Sequence, residues 1–144
     1  LVQEWLNKNG LYKNTKLVAP EKKYGESRFD FYIEGDNKKA WMEVKGVTLE
    51  KDGVVLFPDA PSKRAVKHIE HLITAKEEGF DAYIMFVVQM ENVKYFTPNK
   101  ETHKAFAEVL VKAESKGVKI MAYNCVVTEK ELKINKPVEI KLNK

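Results

Sequence analysis

A single cysteine, Cys125, stands in the 144-residue chain, so an internal disulfide is excluded and a reducing compartment is the natural setting. It lies in "MAYNCVVT", which reads as a buried strand, so the thiol is expected to be structural rather than nucleophilic. Long apolar runs are missing as well. The longest, Ala82 to Val88, is far too short to cross a bilayer. No basic-then-apolar segment opens the chain. Glutamine is sparse, whereas lysine and glutamate are abundant, a pattern found on thermophile surfaces. There is no internal repeat, low-complexity tract or linker-like stretch, and no zinc spacing, P-loop, dinucleotide-binding glycine motif or Ser-His-Asp order. These absences leave a cytoplasmic protein with no membrane partner as the expectation.

What is present suits one folded domain. The chain is 44% hydrophobic and 32% charged, which argues against disorder, and its length supports one proper core rather than two. The net charge of +4 permits a polyanionic partner without demanding one.

Periodicity orders the elements. "LVQEWLNKNG" has apolar residues at helical spacing, with Gly10 as a stop. Leu17 to Lys22 reads as a short strand. "RFDFYI" and "AWMEVKGV" alternate on either side of the turn "EGDNK" and predict a hairpin. "GVVLF" (Gly53 to Phe57) suggests a third strand. The clearest helix follows Ser62, an expected N-cap, and ends at Gly79. "DAYIMFVV" reads as a strand covered on both faces, and "KYF" as a small strand. A second helix is expected from about Lys100 to Lys116, then the strand "VKIMAYNCVV" and one or two edge strands in the tail. The result is an α/β domain, a mixed sheet with helices on its faces.

The hairpin carries the first chemical signal. With a turn symmetric about Asp36 and Asn37, Asp30 faces Glu43, Arg28 faces Lys45 and Tyr32 faces Trp41. One face would then hold Phe29, Phe31, Ile33, Ala40, Met42 and Val44 as a core layer. Two carboxylates about 4 Å apart repel by on the order of 4 kcal/mol at an effective dielectric of about 20. A shared proton, the neighbouring cations Arg28 and Lys45, or a divalent ion would relieve this. Hard carboxylate oxygens suit Mg²⁺ or Mn²⁺, and the Val44 carbonyl is a candidate third oxygen. Lys45, two residues past Glu43, projects from the same face and is placed to stabilise charge on a phosphate. Acid on one strand and acid-x-lysine on the next is a phosphodiester-cleaving layout. Against it, Glu-x-Lys is common on solvated strand faces, and a three-residue turn would separate the acids.

Other residues admit two readings. Arg64, Lys67, His68 and His71 share one side of the central helix, either as phosphate contacts, with His68 near the chemistry, or as a solvated basic face. Asp59 would cap that helix or bind metal through water. Ser27 and Thr48 flank the acid strands, as phosphate contacts or local backbone bonds. Tyr32 and Trp41 would stack on a base or lie under the first helix. His103 reads as a surface residue.

The stretches "YGESRFDF", "EVKGVTL", "FPDAPSKR", "KHIEHL", "FTPN" and "KGVKIMAYNCVV", in this order, resemble the sugar fermentation stimulation protein family from about Glu21 onward. The hairpin also resembles the wider PD-(D/E)xK nuclease superfamily. The resemblance implies a restriction-endonuclease-like fold, an α-β-β-β-α-β core with an α-β extension, forming a single domain over residues 1–144. Family members carry a small OB-like barrel ahead of this domain, and the chain is expected to hold only the second part. Asp30, Glu43 and Lys45 would be the metal and catalytic set, with Val44 as backbone ligand. Glu21, preferred to Glu4, would supply an additional acid. Arg28, Arg64, Lys67 and His68 would contact DNA. The implied functions are a Mg²⁺- or Mn²⁺-dependent deoxyribonuclease or, alternatively, a non-catalytic DNA-binding regulator of sugar metabolism; a homodimer is left open. Ala65, where the family often has glycine, and Thr102–His103, where it usually has an aspartate, depart from the pattern.

Overall fold

The structure is a computed structural model and describes residues 1–129 and 131–142. Helix α1 (Val2–Asn7) leads into three antiparallel strands, β1 (Thr15–Tyr24), β2 (Ser27–Gly35) and β3 (Lys38–Val47). After β4 (Leu49–Lys51) and β5 (Val54–Phe57) come α2 (Lys63–Glu77), β6 (Asp81–Val88), β7 (Tyr95–Pro98), α3 (Lys104–Ser115), β8 (Lys119–Val127) and β9 (Leu132–Pro137). Six strands form a mixed sheet in the order β1-β2-β3-β6-β8-β9, with β3, β6 and β8 parallel. β4, β5 and β7 make a second, smaller sheet. Gly53–Phe57 thus does contain a strand, but it belongs to the small sheet, where β5 pairs with β4 and β7. The first strand is longer than its apolar core suggested, because β1 runs ten residues as the partner of β2.

The central strand β6 explains why "DAYIMFVV" is almost wholly apolar. Ile84, Phe86 and Val88 face one core with α2, α3 and the small sheet. Tyr83, Met85 and Val87 face a second core under α1, with Val2, Leu6, Met42 and Cys125. A strand covered on both sides has no face left for polar residues. Cys125 is buried there, as a structural thiol should be. None of the described helices is long and apolar enough to cross a membrane.

Helix α2 starts where the sequence indicates. Ser62 is the N-cap, and its hydroxyl accepts from the Ala65 amide at 3.1 Å. Asp59 is exposed ahead of the helix and is not its cap. Helix α3 starts only at Lys104, with His103 at its N-cap position. His103 is half-buried rather than a plain surface residue, and its Nδ1 accepts from the Ser62 amide at 3.1 Å, so the starts of α2 and α3 are tied together.

The candidate phosphodiester site

The β2–β3 hairpin forms in the symmetric register, with Phe31 opposite Met42, Tyr32 opposite Trp41 and Ile33 opposite Ala40. Its turn uses left-handed Asp36 and Asn37, both residues that tolerate positive φ. The pairing ends at Phe31–Met42. Beyond it β2 follows β1 alone, and β3 continues beside β6. The two strands therefore fork, and the Glu43–Val47 edge of β3 is uncovered on the β2 side.

Three predicted features change at this fork, the first being that Asp30 and Glu43 lie beyond the last paired residues and are not cross-strand partners. Arg28 does not pair with Lys45: it is exposed on β2 opposite Lys23. Phe29 does not share the core layer of Phe31 and Ile33, but joins Tyr32 and Trp41 on the α2 side. The alternation breaks at Asp30, which the β1–β2 register brackets opposite Glu21, and Glu21 has a left-handed φ of 50°. A local irregularity of this kind re-aims side chains. Tyr32 and Trp41 are buried in an aromatic cluster with Tyr24, Phe29 and Phe80, so they are core rather than a stacking platform. It is α2, not α1, that covers their face.

Asp30 takes over the bond that the departing strand leaves unmade. Its Oδ2 accepts from the Val44 amide at 2.7 Å. Glu43, the residue before Val44 on β3, points to the α2 face and is 2% exposed. Its Oε2 lies against His68 Nδ1 and 3.6 Å from Lys45 Nζ, yet has no hydrogen bond of good geometry among the described residues. Lys45 Nζ lies 3.0 Å from His68 Nδ1, and Arg64 Nε approaches His68 Nε2 at 3.5 Å. His68 therefore turns inward, while Arg64 and Lys67 stay exposed.

The electrostatics follow from this packing. Burial, then the hydrogen bond and negative charge of Asp30, push the Glu43 carboxyl up to about 8, and Lys45 only partly offsets them. Burial and the charges of Lys45 and Arg64 hold the His68 imidazole down to about 4. At neutral pH the Glu43 carboxyl is thus largely protonated, which relieves the repulsion argued from sequence.

A cleft of about 510 Å³ opens on the other side of the fork, lined by Asp30, Glu21, Val44, Gly46, Gln3 and Gln89 among others. Glu21 stands exposed at this cleft. Glu4 instead pairs with Lys8 at 2.8 Å and lines a different cavity. Among the described residues, no group of three or more His, Cys, Asp or Glu side chains converges to hold a metal ion. What converges is two carboxyls, Asp30 and Glu43, with the Val44 amide bonded to the first. The two glutamines are a feature the motif reading missed: the chain contains only Gln3 and Gln89, and both line the cleft. Their scarcity was itself a signal. So was the position of Gln89 just past β6, since ligands gather at the carboxyl ends of parallel strands.

A profile of one protein family, described as the sugar fermentation stimulation protein RE domain, matches residues 1–131. A sugar fermentation stimulation protein homolog of Clostridium beijerinckii is 50% identical over 140 residues, 97% of this chain and 62% of its own length. The homolog of Ruminiclostridium cellulolyticum is 49% identical over 142 residues, 99% of this chain and 63% of its own. Among solved structures, Pyrococcus furiosus SfsA in complex with Ca²⁺ matches with a TM-score of 0.89 at 28% identity, covering 97% of this chain and 62% of that one. The chain therefore spans a little over three-fifths of the length of these relatives.

Proposed function

The chain belongs to the sugar fermentation stimulation protein family, and on that premise we propose that it is a DNA-binding domain whose Asp30–Glu43–Lys45 cluster is a divalent-cation site for phosphodiester hydrolysis. The observation that carries this reading is the fork between β2 and β3, where two carboxyls and a lysine meet beside an open cleft. The donor set fits a hard cation. Asp30, Glu43 and the Val44 carbonyl would hold it, and Glu43 is a buried carboxyl crowded by the charge of Asp30, a repulsion that an ion relieves. So few protein ligands suit Mg²⁺ or Mn²⁺, which keep waters and share phosphate oxygens. That a related structure was solved with Ca²⁺ supports a site for hard divalent ions. When bound, such an ion supplies Lewis-acid charge and lowers the pKa of a water. The protein's own part is positioning. Lys45 presents an ammonium from the face that carries Glu43, where it offsets charge on a phosphate. Glu21 stands at the cleft to complete the acid set, and exposed Arg28, Arg64 and Lys67 are free to contact the DNA backbone.

Cleavage of plasmid and short oligonucleotides with Mg²⁺ or Mn²⁺, and with chelator, tests this. Asp30→Ala and Glu43→Ala should each lower metal-dependent cleavage at least about a hundredfold, whereas a contaminating nuclease would survive both. Wild-type rates in both variants would end the catalytic reading. A second reading is a non-catalytic DNA-binding regulator. It is favoured by the contacts the cluster makes among its own residues, in which Asp30 accepts from the Val44 amide and Glu43 rests against His68. Salt-sensitive DNA binding without cleavage would select it.

A further inference from the structure

Three features set His68 apart from its exposed neighbours on α2. Its side chain is only 16% exposed. Its Nδ1 touches Glu43 Oε2 and lies 3.0 Å from Lys45 Nζ, so one ring atom meets both the acid and the base of the ExK pair. Its Nε2 faces Arg64 Nε at 3.5 Å. A residue so enclosed is poorly placed to reach a DNA phosphate. It is well placed to fix where Glu43 and Lys45 point.

The oxygens divide accordingly. Both contacts of Glu43, to His68 and to Lys45, go through Oε2. Asp30 uses Oδ2 on the Val44 amide. Glu43 Oε1 and Asp30 Oδ1 are then the carboxyl oxygens not committed to those contacts. An outer partner that holds one oxygen of a carboxylate sets the direction of the other, and loss of such a partner typically costs about ten- to hundredfold in metal affinity. We infer that His68 is a positioning residue: with Nε2 facing the Arg64 donor, its Nδ1 is left to hold Glu43 Oε2 from α2, so that the second oxygen of Glu43 is presented to a divalent cation. The inference rests on the cation reading above and assigns His68 to the support of that site instead of to DNA contact.

The test is Mn²⁺ binding by calorimetry at fixed pH, without DNA, so that it does not depend on turnover. The variants are His68→Ala, His68→Phe, which fills the space without a polar atom, and His68→Asn, which restores a donor and an acceptor on a shorter side chain. Thermal unfolding checks that each is folded. Alanine and phenylalanine should weaken Mn²⁺ binding about ten- to hundredfold, and asparagine should recover a large part of the loss. A role in packing alone would let phenylalanine do as well as asparagine, and that result overturns the inference. So does wild-type affinity in His68→Ala when the wild-type chain binds Mn²⁺. If the wild-type chain binds no Mn²⁺, the cation reading fails and the inference falls with it, which is distinguishable from failure of the His68 role alone.

Discussion

Glu43 concentrates the cost of the site in one side chain. It is a carboxyl at 2% exposure, with its pKa pushed up to about 8 from an ordinary 4.5 by burial and by Asp30. A carboxyl raised in this way contributes stability that is intact below about pH 4.5 and lost as pH climbs through about 8. His68 acts in the opposite sense. Its pKa falls from 6.5 to about 4, so its contribution is intact above pH 6.5 and lost as pH falls toward 4. The two oppose each other at acid pH, whereas between about pH 6.5 and 8 only Glu43 supplies a slope. In chelator, the midpoint of thermal unfolding should therefore fall across that window. Glu43→Gln, which removes the ionisation and keeps the shape, should flatten the slope and unfold at higher temperature at pH 8. A gain of on the order of a few kcal/mol would raise the midpoint by roughly 5–10 °C. Equal slopes for wild type and variant would show that Glu43 does not carry the shift.

At the scale of elements, α2 links the cap to the chemistry, because the helix that Ser62 starts also carries His68. Ser62→Ala removes the side-chain acceptor for the Ala65 amide and should destabilise the protein by about 1 kcal/mol. Ser62→Asp, which keeps an acceptor at the cap and adds a favourable charge at the helix start, should restore most of it. Urea unfolding measures both, and a Ser62→Ala variant with an unchanged midpoint would mean that the cap bond contributes nothing. This helix was fully legible in the sequence, since its apolar face, cap and glycine stop all agree. The hairpin register was legible too, because its turn residues and its alternation point to the same pairing as far as Phe31 and Met42. What could not be read is where pairing stops. Nothing local in "SRFDF" announces that β2 leaves β3 at Asp30; that depends on β1, on left-handed Glu21 and on α2 closing over Phe29 and Trp41. The same limit hid the inward turn of His68. Its spacing from Arg64 and Lys67 describes a helix face, while its partners on β3 lie more than twenty residues away in the chain.

For the whole molecule, the proposed DNA binding concerns one part of a longer architecture, since the relatives of this chain are longer by more than a third of their length. A net charge of +4 is modest, so the proposed interface would draw on local arrangement rather than bulk attraction. Exposed cations beside the site include Arg28 on β2 and Arg64 and Lys67 on α2. Each phosphate neutralised on duplex DNA contributes about 0.9 to the fall of log K with log salt. Arg64→Ala with Lys67→Ala should therefore weaken binding to a random-sequence duplex and reduce the slope by about two, measured by fluorescence anisotropy over a salt series. Lys8→Ala is the control for charge alone. It removes the same kind of cation from the C-cap of α1, where Lys8 is already paired with Glu4 beside a separate cavity. It should leave the slope within error of wild type. An unchanged slope in the α2 double variant would remove that helix face from the DNA interface. An equal fall per charge in Lys8→Ala would mean that the protein attracts DNA by net charge, with no interface organised around the fork.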